Sequence, residues 1–318
     1  MKTTPKVSVI MAAYNAEKFI GYAIQSVLNQ TFSDFELRVV GDCCTDNTEQ
    51  VVSSFNDERI HWYNLPHNVG SQGIPNSEGL KRAKGELIAY LSHDDLWFPW
   101  HLAQLMAYLQ KTDCDWVHSS GFAILPNHHV DFMGSLPVGF DYQSYFVAPS
   151  LWLHKKNKVE EAGNWPHHYQ TPTYIDQDLQ IRMAKFGHKM SASKEPSVIK
   201  FQAIVWKSLS KQTQYFPQVI YLQKIITQPE VLQLELLKQV ANQHGQTVYA
   251  RYWGGLSALE ALKILIWRPL RRWVIIPAQN NIPWFRKLMI ARMLRYRRRR
   301  AQQTGEVEHK TIHLNLNH

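Results

Sequence analysis

Cysteine is scarce: Cys43, Cys44 and Cys114 are the only three in 318 residues. So few cannot staple a small scaffold, and they suit a reducing compartment. Cys43 and Cys44 are adjacent, and neighbours bridge badly because the disulfide strains the peptide between them. They read as small loop residues with unactivated thiols. No apolar run reaches the roughly 18 residues of a membrane-spanning helix. The opening MKTTPKVSVI has no apolar core of a secretory leader. None of the 15 histidines opens the His-Glu-x-x-His motif of a helical zinc protease site, and no internal repeat is visible. These absences exclude a disulfide scaffold, a spanning bundle, a repeat array and a zincin.

What is present is an ordinary globular balance, with 45% hydrophobic and 19% charged residues. The length makes one large domain or two modest ones. Charge is unevenly placed. Residues 261–300 hold twelve Lys and Arg and no Asp or Glu, so with that segment set aside from the +9 total the rest sums to −3. A mildly acidic body carries a basic tail.

The first hundred residues alternate strand and helix. VSVIMAAYN (7–15), FELRVVGD (35–42), IHWYNLP (60–66) and ELIAYLS (86–92) read as strands. Between them, Phe19, Ile20, Ala23, Ile24, Val27 and Leu28 repeat with helical spacing behind a candidate Asn15 cap. TDNTEQVVSSF opens a second helix, and NSEGLKRAKGE a third that Gly85 stops. That alternation predicts a parallel sheet, with ligands at the carboxyl ends of its strands. The polar clusters at 12–15, 42–48 and 92–95 all follow strand ends and should converge. Residues 100–205 are less regular and aromatic-rich, with an amphipathic helix over DLQIRMAKFG (178–187). Pro229 opens a helix in which Val231, Leu234, Leu237 and Val240 recur, with Gly245 beyond its end. Ser257 and Glu260 form a capping box before ALKILIW, and 301–318 is polar. The division is 1–100, 101–205 and 206–318.

Asp94 and Asp95 follow the fourth strand in SHDDLW. Paired carboxylates there suit a hard divalent cation and its phosphate ligands, or else a solvated turn capping the next helix. Asp42 ends the second strand, where it can accept from a base or a ribose hydroxyl, or close an Asx-turn. Trp165, Tyr169 and Tyr174 suit either sugar stacking or core packing.

The run VSVIMAAYNAEKFIGYAIQSVLNQTFSDFELRVVGD resembles the amino-terminal signature of the family 2 glycosyltransferases, which have the GT-A fold. NVG…PN…AKGELIAYLSHDDLW continues it, so about residues 7–110 follow the family's order, and IDQDLQIRMAKFG (175–187) resembles its acidic residue before an Asp-Leu-x-x-Arg helix. The resemblance implies a mixed, Rossmann-like GT-A sheet flanked by helices, with a helical basic extension. It places Ala12 and Tyr14 in the base pocket, Asp42 on the base, Asp94 at the ribose and Asp95 on a metal, Mn2+ or Mg2+, at the diphosphate. Asp176 matches the family's catalytic base, and Arg182 pins the helix. His93 should lie near the metal. There are departures: Gly41, Asp42, Cys43, Cys44 replace Asp-Asp-Gly-Ser, Ser92 and Ile175 stand where acids are common, and Pro75 stands near where some relatives have an arginine.

The implied function is inverting transfer of a sugar from a nucleotide diphosphate sugar, UDP-linked by the resemblance, to a hydroxyl of a glycan or lipid-linked acceptor. The alternative is an inactive GT-A-like module that anchors a partner or a membrane through its tail. The tail's Arg residues, interleaved with Trp267, Trp273, Trp284 and Phe285, suit an anionic membrane surface. A nucleic-acid site and a solvated face packed on the body are the other readings. The expected place is the cytoplasm, peripheral on the membrane's cytoplasmic face.

Overall fold

The computed structural model describes residues 4–125, 129–136, 141–167, 171, 173–201 and 217–252. The chain divides into a compact unit over Met1–Leu256 and a second over Ser257–His318. The basic segment at 261–300, the capping box at Ser257 and Tyr169 lie outside the described residues.

Strands β1 (Val7–Ala13), β2 (Phe35–Gly41), β3 (Ile60–Asn64) and β4 (Leu87–Tyr90) alternate with helices α1 (Ile20–Leu28), α2 (Thr48–Ser53) and α3 (Gly73–Arg82). β1 pairs in parallel with β2 and β4, and β2 with β3. The central strands are buried on both faces, which is why they read as unbroken apolar runs rather than alternating ones. Beyond them come β5 (Leu96–Trp97), α4 (His101–Thr112), β6 (Trp116–Ile124), β7 (Val130–Met133), β8 (Trp152–Lys155), α5 (Lys156–Glu161), α6 (Ile175–Lys185) and β9 (Met190–Phe201). Helices α7 (Gln218–Thr227) and α8 (Pro229–Tyr252) follow.

Among the described residues all nine strands form one mixed sheet, ordered β3-β2-β1-β4-β8-β6-β9-β5, with β7 on β6. β4 meets β8 antiparallel, and β9 meets β6 in parallel and β5 antiparallel. Strands from before and after residue 100 thus share a sheet. Helix α3 lies close on β1, because a Cβ on Gly79 would overlap the Ile10 side chain.

Several local expectations shift. Asn15 does not cap α1, which starts at Ile20. Its backbone is left-handed at φ 45°, and its side-chain oxygen accepts from the Thr45 amide instead. Helix α3 starts before Asn76 and ends at Arg82, short of Gly85, whose amide donates to Ser8 Oγ at 2.8 Å as the chain enters β4. Helix α6 begins at Ile175, so Asp176 and Asp178 sit in its first turn, where carboxylates favour the helix dipole. Helix α8 continues through Gly245 to Tyr252. It buries Leu232 and Leu236, four apart, and leaves Val231, Leu234 and Leu237 exposed, because a 3.6-residue period aligns i and i+4 better than a repeat of three.

Candidate active site

The three polar clusters meet at the carboxyl edge of β1, β2 and β4. Register aligns Ala13 with Gly41 and Gly41 with Asn64. The Asp42 amide then donates to the Ala13 carbonyl at 2.7 Å. The turn after β1 is sewn to the turn after β2: the Ala16 amide donates to Thr48 Oγ1 at 2.8 Å and the Glu17 amide to Asp46 Oδ2 at 3.1 Å. Asn64 clamps Cys44 from both sides, accepting from its amide and donating to its carbonyl. Cys43 between them is left-handed at φ 56°, the conformation a glycine would take most easily. All three cysteines are free, and burial pushes the Cys44 thiol up.

Asp42 is buried. Its two oxygens accept the Val69 amide at 2.7 Å and the Gly70 amide at 2.9 Å, while Asn68 Nδ2 donates to its carbonyl at 2.9 Å. It therefore shapes the 68–70 loop. Each carboxylate oxygen has a second lone pair. Tyr14 is 40% exposed and Ala12 half-buried, at the mouth of the same edge.

The Asp94–Asp95 turn is asymmetric. Asp95 is fully buried: Ser150 Oγ donates to Oδ2 at 2.6 Å, Lys200 Nζ to the same oxygen at 2.7 Å, and the Phe201 amide to Oδ1 at 3.0 Å. Three protein donors thus engage the carboxylate expected to hold a metal. Asp94 is also buried, but among the described residues its carboxylate accepts no hydrogen bond; Gln218 meets only its carbonyl, at 3.4 Å. His93 Nδ1 lies 3.2 Å from the Ala12 carbonyl, which can only accept, so the proton sits there. The buried Nε2 has no partner among the described residues.

Asp176 reaches the same region from α6. Gln72 Nε2, just before α3, donates to its Oδ2 at 3.3 Å, and the Gln177 amide to Oδ1 at 3.0 Å. Burial holds its carboxyl above the usual range, although those donors and the Lys200 charge pull it down. Gly73 permits the Gln72 contact, since a Cβ there would strike the Pro166 carbonyl. Arg182 fixes α6: it pairs with Asp178 at 2.7 Å, and its guanidinium donates to the Ala162 carbonyl and, at 2.7 Å, to the Asn164 carbonyl. Trp165 is core, donating to Tyr90 Oη at 2.9 Å and stacked near Trp152, whereas Tyr174 is 75% exposed.

Lys200, Ser150, Gln72 and Gln218 were not foreseen from the sequence. Lys200 is 105 residues from Asp95 and only the β5–β9 register, Leu96 opposite Ile199, sets it beside that carboxylate. Burial works against its ammonium, but Asp95, Asp94 and Asp176 outweigh it and hold its pKa above the ordinary lysine value. Among the described residues no three His, Cys, Asp or Glu side chains gather as a metal cluster.

A mixed sheet with carboxylates at the ends of its parallel strands is the GT-A fold. The chain belongs to glycosyl transferase family 2, whose model matches residues 8–180. It is similar to the UDP-Glc:alpha-D-GlcNAc-diphosphoundecaprenol beta-1,3-glucosyltransferase WfgD of Escherichia coli, 36% identical over 124 residues, 39% of this chain and 48% of that one. An uncharacterized glycosyltransferase of Nostoc is 36% identical over 161 residues, 50% of this chain and 47% of that one. The matched region thus spans just under half of each relative. Among solved structures, S. aureus TarS 1-349 in complex with UDP-GlcNAc aligns with a TM-score of 0.55 at 22% identity, covering 62% of this chain and 58% of that one. The mannosyltransferase PcManGT of Pyrobaculum calidifontis, in complex with GDP-Man and Mn2+, aligns at 0.51 and 14% identity, covering 86% and 84%. At those identities the two structures show the fold alone.

Proposed function

We propose that the chain is an inverting glycosyltransferase that moves a sugar from a UDP-sugar to a hydroxyl of a glycan or lipid-linked acceptor. The observation that carries this is the meeting of Asp42, Asp94 and Asp176 at one sheet edge in a family 2 chain. WfgD, whose name specifies a UDP-sugar and a diphosphoundecaprenol acceptor, supports the donor and acceptor classes.

Each residue has a task its surroundings suit. Ala12 and Tyr14 border the base pocket, and Asp42, which also holds the Val69 and Gly70 amides, accepts from the base. Asp94 faces the ribose and diphosphate. The donors present fit a Mn2+ or Mg2+ ion, because such ions take one or two protein ligands and lean on substrate phosphates. Asp94, with Nε2 of His93, would hold it; Asp95, engaged by Ser150, Lys200 and the Phe201 amide, would brace the turn. When bound, the ion supplies charge neutralisation for the departing diphosphate. Asp176 takes the acceptor proton as its hydroxyl attacks the anomeric carbon, and a carboxyl raised by burial is a better base at neutral pH. One base with no second nucleophile gives inversion.

Among the described residues no helix is long and apolar enough to cross a membrane. We assign the basic 261–300 segment to an anionic membrane surface on the cytoplasmic side, from its twelve cations and interleaved tryptophans. Calorimetry with UDP, with and without Mn2+, followed by a panel of nucleotide sugars, tests the donor reading. Absence of any UDP binding would overturn it, and UDP binding without turnover on any acceptor would favour the inactive module.

A further inference from the structure

Lys200 lies beside Asp95 and within reach of the charges of Asp94 and Asp176, and neither the family match nor the relatives' names assign it a part. It lies near the end of β9, opposite the Asp94–Asp95 turn, where the antiparallel register sets Leu96 against Ile199 and Trp97 against Val198. Its Nζ sits 2.7 Å from Asp95 Oδ2, yet 27% of its side chain remains exposed while Asp95 has none. Ser150 and the Phe201 amide also hold Asp95. The ammonium has three hydrogens and this pair uses one. Asp94 and Asp176 both act on its charge. A lysine kept only to neutralise a buried carboxylate would gain nothing from keeping part of its side chain open to solvent.

We propose that Lys200 is a diphosphate-binding residue: anchored on Asp95, it turns its remaining donors to the donor's phosphates. It would supply fixed positive charge where the leaving group gathers negative charge. This inference rests on the nucleotide-sugar reading of the site, and the test separates the two. Affinities for UDP and for uridine, which lacks phosphates, are measured by calorimetry with Mn2+ present, on the full chain and on Lys200→Met and Lys200→Arg. Losing a charge-assisted hydrogen bond should weaken UDP by about ten- to a hundred-fold in Lys200→Met. Uridine should be unchanged, and Lys200→Arg should hold UDP within a few-fold.

Removing Lys200 strands the buried Asp95 charge, so the methionine variant can fail to fold. Asp95→Asn and Asp95→Asn with Lys200→Met avoid that stranded charge and are compared with each other: the double variant should bind UDP about ten- to a hundred-fold more weakly than Asp95→Asn and bind uridine equally. Equal losses of UDP and uridine, or no loss of either, would show that Lys200 serves Asp95 only. If the unaltered chain binds neither, the nucleotide reading itself falls.

Discussion

Asp176 and Asp42 have similar chemistry and different partners. The Asp42 oxygens accept two loop amides, whereas Asp176 meets Gln72 and the Gln177 amide and burial holds its carboxyl above the usual range. Asp176→Asn keeps the shape and removes the basicity, so turnover should drop by about 10²-fold or more with UDP affinity nearly intact. If single-turnover assays show near-normal transfer, the proton goes elsewhere. Because the Asp176 pKa is raised, the active carboxylate is lost as pH falls through that raised value, earlier than for an ordinary aspartate. A pH profile should therefore show an acid limb above the usual carboxylate range, absent in the asparagine variant. Asp42→Ala should weaken UDP by about 1.5–3 kcal/mol, the value of hydrogen bonds to a charged group. It also frees the Val69 and Gly70 amides, so a matching rise in proteolysis near 68–70 would assign part of that loss to the loop.

At the scale of elements, α6 carries the proposed base but is only half-buried; Gln180 ties it to the 142–147 segment and Arg182 to the chain after α5. Arg182 spends its guanidinium on Asp178 and on the carbonyls of Ala162 and Asn164 after α5. Arg182→Met keeps the stem and removes those bonds. It should cost about 2–4 kcal/mol, as buried groups lose charged partners, and should lower turnover by displacing Asp176. Chemical denaturation and turnover in the same sample check it: a stable variant of normal rate would show that α6 is held by packing of Leu179 and Met183 instead. The sequence pattern made the Arg182 role legible, since Asp178 and Arg182 are four apart and face each other on a helix. The carbonyls it reaches lie 18 and 20 residues away and no local pattern shows them.

For the molecule as a whole, three histidines are buried in the aromatic core and kept neutral. Burial lowers His101 to about 3, His118 to about 4 and His154 to about 4. Their folded pKa values lie below the unfolded one, so the unfolded chain binds more protons as pH falls. Stability is full above about pH 6.5 and is lost progressively from there towards pH 4, by up to about 1.4 kcal/mol per pH unit for each histidine. Urea midpoints should fall steadily between pH 6.5 and 4.5, and His154→Gln should flatten that slope. An unchanged midpoint across that window would mean that these rings admit water. Truncation after Leu256, the end of the first compact unit, should leave UDP binding intact, because Asp42, Asp94 and Asp176 all precede it. It should also release the protein from anionic vesicles. Retained vesicle binding would move the membrane contact onto the body, where Val231, Leu234 and Leu237 are exposed.

Much of the first hundred residues was determined by the sequence alone. Strand–helix alternation, apolar runs buried on both faces and polar turns after each strand are local signals, and they set the parallel core and the convergence of 12–15, 42–48 and 92–95. The family's motif order carried the candidate carboxylates. What only the tertiary structure decided is which carboxylate is free. Asp94 and Asp95 are adjacent and chemically identical, yet one is filled by Ser150, Lys200 and Phe201, which arrive from 55 to 106 residues away, and the other is not. Neighbours along a chain share their local pattern, but a charge takes its partners from whatever strand the register sets opposite, and register is a property of the folded sheet.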